Sequence, residues 1–207
     1  MSKKNNVFDY IFKQEIVNVI ILYLFLFFIM AQTKTQKHNS FVVLGGGCFW
    51  CIEAMFEEIP GVIDVESGYS GGKIENPTYK EVCSGSTGHA EVVRIEFDPK
   101  SISYKDLVDM FWTAHDPTTK NRQGADVGTQ YRSIILYSSN EEKLIALESL
   151  EEAKELFNDE IQTEIVKLEK FYKAEDSHQD YYRLNPSAPY CVYNISPKLQ
   201  KFRKNNN

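Results

Sequence analysis

The sequence is short of the residues that mark several protein classes. Only four cysteines occur in 207 residues, at positions 48, 51, 83 and 191. They are too few and too unevenly spaced for a disulfide-built scaffold, so redox or metal chemistry is the better reading. Basic residues are outnumbered, 23 Lys and Arg against 29 Asp and Glu, leaving a net charge of −6. A chain of that sign argues against a nucleic-acid partner, which would favour a basic face. No internal repeat, low-complexity tract or second linker interrupts the chain, and one domain over residues 41–203 is the simplest organisation. Aromatic residues are plentiful, with 12 Tyr and 13 Phe, which suits a dense core or an aromatic-lined pocket.

The one long apolar run lies near the start. Residues 16–30 are apolar apart from Asn18, follow Lys3, Lys4 and the mixed charges Asp9, Lys13 and Glu15, and end before Ala31. The run is short for a spanning helix and right for a signal-peptide core. Residues 1–31 are therefore expected to be a signal peptide that exports the protein, periplasmic or secreted. An uncleaved membrane anchor is the alternative, and that segment is the only expected membrane contact. The polar residues 32–40 read as a linker.

Residues 41–44 form a short apolar run that halts at Gly45-Gly46-Gly47, the pattern of a buried strand entering a tight turn. Ile52, Met55, Phe56 and Ile59 then recur at helical spacing up to Pro60-Gly61. Val62, Ile63 and Val65 predict a second strand. Residues 89–97 predict a third, with Glu91, Val93, Ile95 and Phe97 on one face. Ser103 and Asp106 resemble a capping box ahead of the stripe Leu107, Met110, Phe111 and Ala114. Further expectations are a strand over 132–137, a strand over 163–168, and between them a helix over 141–157 buried through Leu144, Leu147, Leu150 and Phe157. The second and third strands follow one another without a long helix between them. This predicts an α+β two-layer sandwich with a mixed or antiparallel sheet packed by helices.

Chemistry concentrates at Gly45-Gly46-Gly47-Cys48-Phe49-Trp50-Cys51. Glycines after a strand let backbone N–H groups approach a ligand, and a cysteine at the following helix N-terminus sits where negative charge is favoured. Such a thiol is expected to be acidic and nucleophilic. Glu91 is the second unusual residue, a carboxyl on the apolar face of a strand. Burial there favours its neutral, hydrogen-bond-donating form, and a hundredfold change in that balance needs roughly 3 kcal/mol.

Six stretches together resemble the methionine sulfoxide reductase A (MsrA) family: GCFW at 47–50, GYSGG at 68–72, NPTYKEVCSGSTGHAE at 76–91, HDPT at 115–118, RQGADVGTQYRS at 122–133 and AEDSHQDYY at 174–182. They span about 135 residues in the family's order. The resemblance implies the ferredoxin-like fold of that family and reduction of methionine S-sulfoxide, free or in proteins, as repair of oxidative damage. It implies Cys48 as nucleophile, Glu91 as acid, Tyr79 and Tyr131 as phenol donors, Phe49 and Trp50 as the pocket for the S-methyl group, and Asp126 as a holder of substrate backbone. It implies no cofactor or metal, and thioredoxin or another dithiol as electron donor.

Cys48 would end as a sulfenic acid that a second thiol converts to a disulfide. Cys191, beside Pro189 in a segment rich in loop-formers, resembles the family's recycling cysteine. Cys51 is the second choice, able to bond Cys48 only if Cys48 sits at the helix cap. Cys83 reads as inert, and His89, His115 and His178 as structural hydrogen-bonders. Two other classes fit part of the cysteine pattern. A thioredoxin-like C-x-x-C oxidoreductase explains Cys48 and Cys51 but none of the other motifs. A zinc-held binding module would lack the second close cysteine pair that such sites usually offer.

Overall fold

The structure is a computed structural model that describes residues 40–206. The expected signal peptide or anchor, and all of the linker except Ser40, lie outside the described residues.

The β-branched and aromatic runs form one curled sheet. β1 (Ser40–Gly45), β2 (Val62–Ser70) and β3 (Ala90–Phe97) make its centre, β1 and β2 each lying antiparallel to β3. A separate two-stranded ribbon joins β4 (Arg122–Gln123) to β5 (Asp126–Val127). β6 (Ile134–Tyr137) extends the sheet antiparallel to β1, β7 (Glu164–Lys167) pairs parallel with β6, and β8 (Phe171–Lys173) lies antiparallel to β2. The order is β7-β6-β1-β3-β2-β8, a mixed sheet in an α+β fold as expected.

Helices cover the sheet. They are α1 (Phe49–Phe56), α2 (Tyr79–Cys83), α3 (Tyr104–Ala114), α4 (Asn140–Ala153), α5 (Tyr181–Leu184) and α6 (Ser196–Asn206). Val42, Leu44, Val93 and Ile95 from the strands bury against Ile52, Met55 and Phe56 of α1, Leu107 and Phe111 of α3, and Leu199 and Phe202 of α6. The opposite face of the sheet carries a smaller cluster of Val43, Ala90, Val92, Ile134 and Leu136. The capping box of α3 is present. Ser103 Oγ accepts from the Asp106 N–H at 3.1 Å, and Asp106 Oδ2 accepts from the Ser103 N–H at 2.9 Å.

Two expectations need correction. The helix over 141–157 ends at Ala153 and continues only as a 3-10 turn, and of its expected stripe Leu150 and Phe157 pack against the core while Leu144 and Leu147 do not. Leu144 is 67% exposed, whereas Ala146, Ser149 and Ala153 are buried. Small residues let α4 approach α3 closely, and Ser149 Oγ accepts a 2.7 Å hydrogen bond from Trp112 Nε1. That buried donor needs a polar partner, and a leucine there would supply none. The segment around Cys191 is likewise not a loop. Cys191–Ile195 forms one π-helical turn that runs into α6, with Cys191 and Ile195 fully buried. The turn is tied by Val192 N–H to Ala188 O at 3.0 Å and by Ser196 Oγ to Cys191 O at 3.0 Å.

Candidate active site

β1 delivers the chain to a turn whose glycines are dictated by the protein's own neighbours. A Cβ on Gly45 would lie 2.6 Å from the Glu91 carbonyl oxygen, and one on Gly46 would lie 2.8 Å from the His115 ring. Gly47 has φ +94°, left-handed backbone that other residues rarely adopt. Cys48 then sits at the N-cap of α1 with ψ 124°, outside the helical spiral, while the Cys51 N–H bonds back to Cys48 O at 3.0 Å. That is the arrangement in which the two thiols can meet, and each shifts the other's acidity.

The charge on this pair is not where the sequence reading put it. Burial pushes the Cys48 thiol well above its ordinary range, and the neighbouring Cys51 and Glu91 push it further. Cys51 is the more acidic partner. The Cys48 hydrogen bond lowers it against the opposing effect of burial, and the Lys198 ammonium, 3.9 Å from its sulfur, lowers it too. Burial and the neighbouring Cys51 and Glu91 thus oppose the negative charge that the cap position favours at Cys48.

Glu91 of β3 is 1% exposed, and its Oε2 accepts from the Phe49 N–H at 3.1 Å. Burial pushes its pKa to about 8, opposed by the Phe49 N–H and helped by the negative charge of Asp126 and Cys51. At neutral pH it is predominantly a neutral acid. Tyr79 opens α2, and Tyr131 closes a 3-10 turn after β5. Both phenols are held above their ordinary range, first by burial and then by partners that for each include the Glu91 charge. Cys48, Tyr79 and Tyr131 pack into one cluster, and Glu91 joins it through the Phe49 N–H. Asp126 on β5 accepts from the Tyr190 hydroxyl at 3.0 Å.

Phe49 and Trp50 belong to an aromatic wall. The Trp50 indole stacks on Tyr181 with centroids 3.6 Å apart and planes 8° from parallel, and Phe49 lies 6.4 Å from Tyr79 in a stacked arrangement. An apolar, electron-rich wall of this kind suits a methylthio group. The Trp50 Nε1 donor is buried without a partner among the described residues.

The structure brings Cys48, Cys51, Glu91, Tyr79, Tyr131, Phe49, Trp50 and Asp126 to one place. Cys191 lies behind them. It is fully buried and close enough to Cys51 for their charges to interact. Cys83 is at the end of α2 with its thiol against the Tyr79 hydroxyl, away from any shared thiol centre. Among the described residues no cluster of three or more His, Cys, Asp or Glu is arranged to hold a metal. His89 and His115 bond to backbone and serine as expected.

Two contributors were not expected from the sequence, Tyr190 and Glu175, and a third, His178, plays a different part from the one expected. Tyr190, whose hydroxyl donates to Asp126, lies near enough to both thiols to lower them. Glu175 fixes Tyr79 by accepting its N–H at 2.9 Å and also accepts from Tyr69 at 2.8 Å. His178, expected to be a structural hydrogen-bonder, instead packs its ring 4.5 Å from Tyr79 and 5.3 Å from Phe49, and its Nδ1 is buried without a partner among the described residues. Glu175 and His178 lie in the AEDSHQDYY stretch and Tyr190 adjoins Cys191, so position was the available signal.

Residues 40–207 match the family described as peptide methionine sulfoxide reductase. The peptide methionine sulfoxide reductase MsrA of Sulfolobus acidocaldarius is 56% identical over 162 residues, covering 78% of this chain and 92% of the relative. Among solved structures, Mxr1 from Saccharomyces cerevisiae in reduced form superposes with a TM-score of 0.71 at 35% identity, covering 76% of this chain and 92% of that one. Mxr1 in complex with Trx2 superposes with a TM-score of 0.52 at 26% identity, covering 70% and 90%. On the family match and the extent of shared sequence, this chain belongs to the peptide methionine sulfoxide reductase family.

Proposed function

We propose that the protein reduces the S epimer of methionine sulfoxide, free or within proteins, through Cys48. The observation that carries this is a neutral buried acid, Glu91, in one chamber with a thiol pair and an aromatic wall. A sulfoxide sulfur becomes electrophilic once its oxygen is protonated or strongly hydrogen-bonded. Cys48 passes its proton to Cys51 along their hydrogen bond and attacks that sulfur. Glu91 protonates the oxygen, and the Tyr79 and Tyr131 hydroxyls hold it. Methionine leaves and Cys48 carries the oxygen as a sulfenic acid. The Cys51 proton then replaces the one Glu91 gave, Cys51 attacks the Cys48 sulfur, and the oxygen leaves as water with the Glu91 proton. Turnover of separated R and S epimers of a blocked methionine sulfoxide, with dithiothreitol as reductant, tests the reading. Reduction confined to S is expected, and equal rates on R would overturn it.

Contact favours Cys51 over Cys191 as the first thiol to resolve Cys48, the reverse of the order suggested by resemblance. Cys191, next to Cys51, then suits a second exchange that carries the disulfide onward. A thioredoxin-like dithiol is the proposed final reductant, in line with the solved Mxr1–Trx2 complex. With one equivalent of sulfoxide, peptide mapping of Cys191→Ser should show a Cys48–Cys51 disulfide, while Cys51→Ser should accumulate sulfenic acid. Prompt Cys48–Cys191 bonding in Cys51→Ser would restore Cys191 to first place.

We further propose export, on the signal-like residues 1–31. N-terminal sequencing of protein from the native host should find the mature chain beginning near Gln32. Full-length chain in the soluble cytoplasm would end that reading, and full-length chain in the membrane would favour the anchor.

A further inference from the structure

A cavity of about 420 Å³ opens beside the thiol pair, and its walls include Cys51 but not Cys48, Glu91 or Trp50. A molecule entering it therefore meets one sulfur only. Lys198 and Lys201 of α6 line it, as do Asp116, in the loop after α3, and Asp159, ahead of β7. Among the described residues neither lysine forms an ion pair within 4 Å, and Lys198 points its ammonium at Cys51 from 3.9 Å. The space fits an amino acid or short peptide and is far too small for a folded protein. Two cations and two anions around it complement a ligand that carries both carboxylate and ammonium groups.

We propose that this cavity admits a small zwitterionic thiol that reduces the Cys48–Cys51 disulfide by attacking Cys51. The inference rests on Cys51 being the resolving thiol. The incoming thiolate forms a bond to the Cys51 sulfur, the Cys48–Cys51 bond breaks, and Cys48 leaves as a thiolate that takes up a proton. A second molecule of the thiol attacks the ligand sulfur of the mixed disulfide, releasing Cys51 as a thiolate and the small disulfide as product. Over one cycle two thiols and one sulfoxide give one disulfide, one thioether and water. Thiol–disulfide exchange needs the attacking sulfur roughly in line with the bond it breaks. A cavity that reaches Cys51 and not Cys48 confines the attack to the Cys51 sulfur. Lys198 draws the thiolate in and stabilises the Cys51 thiolate released at the end. The route would let the enzyme turn over without a protein reductant.

The test uses glutathione as the probe and the full chain after one round of sulfoxide oxidation. Wild type should be re-reduced with saturable dependence on glutathione. Lys201→Glu should raise the half-saturating concentration roughly tenfold by charge reversal. Asn158→Trp, at the exposed rim of the cavity, should slow glutathione reduction by a similar factor while the single-turnover sulfoxide step is unchanged. In Cys48→Ser, glutathione disulfide should modify Cys51 ahead of Cys83 and Cys191. A linear glutathione dependence indifferent to both cavity variants, or an adduct on another cysteine, would overturn the proposal while the Cys48–Cys51 disulfide stands. Absence of that disulfide in the oxidised wild type would instead remove the resolving role of Cys51, and this inference with it.

Discussion

Cys48→Ser should leave a folded protein that reduces no sulfoxide, even in a single turnover. Serine is nearly isosteric with cysteine, and the position is a helix N-cap where a hydroxyl is among the favoured groups. The cap should therefore hold, and the thermal midpoint should move by no more than a few degrees. The chemistry has no such tolerance. A hydroxyl is far less acidic than a thiol and cannot take the oxygen as a sulfenic acid, so loss extends to the first step. Circular dichroism melting checks the fold, and quenched-flow measurement of methionine checks the chemistry. A folded variant that still forms one equivalent of methionine would remove Cys48 from the mechanism. Activity lost only on recycling would make Cys48 the resolving thiol.

Glu91→Ala should slow the sulfoxide-reducing step by about 10²- to 10⁴-fold, the range over which a placed general acid acts. Glu91→Gln should do less harm. Its carbonyl oxygen can accept the Phe49 N–H that Glu91 Oε2 now accepts, leaving its NH₂ as a donor to the sulfoxide oxygen. The pH profile separates the two roles. Burial raises the Glu91 pKa to about 8, so the group is a proton donor below that pH and a carboxylate above it. The wild-type single-turnover rate should fall as pH rises through 8, and Glu91→Gln should lack that falling limb. Equal single-turnover rates for wild type and Glu91→Ala would exclude the acid role.

Local pattern carried the two reacting groups. A glycine turn between strand and helix marks Cys48, and strict alternation along β3 puts Glu91 on the apolar face, because both are short-range consequences of backbone geometry. Where it failed, the deciding partner was distant in sequence. Leu144 looked buried by spacing, but the inner face of α4 was chosen by the crowding of α3 and the indole donor of Trp112. Burial opposes the acidity expected of Cys48, while Cys51 is lowered first by its hydrogen bond with Cys48 and also by Lys198, 147 residues further along the chain. The π-helical turn at Cys191 also gave no short-range signal. Pro189 and the polar surroundings suggest a loop, and only the burial of Cys191 and Ile195 against the core makes helix the better state there.

The catalytic chamber is closed by residues 174–191, which supply Glu175, His178, Tyr181 and Tyr190, and the core beneath it is completed by Leu199 and Phe202 near the C-terminus. The nucleophile, by contrast, lies near the start of the domain. During synthesis from the N-terminus the Cys48 thiol, Phe49 and Trp50 are made early, and Tyr181, Tyr190 and Lys198 are made last. A partly made chain thus carries an unshielded thiol pair, with neither Lys198 to set its charge nor the full wall to select a methylthio group. The charge beside Cys51 and the core contacts of Leu199 and Phe202 arrive only with α6, so a truncation that removes α6 takes away Lys198 and part of the core while leaving every residue of the aromatic wall in the chain.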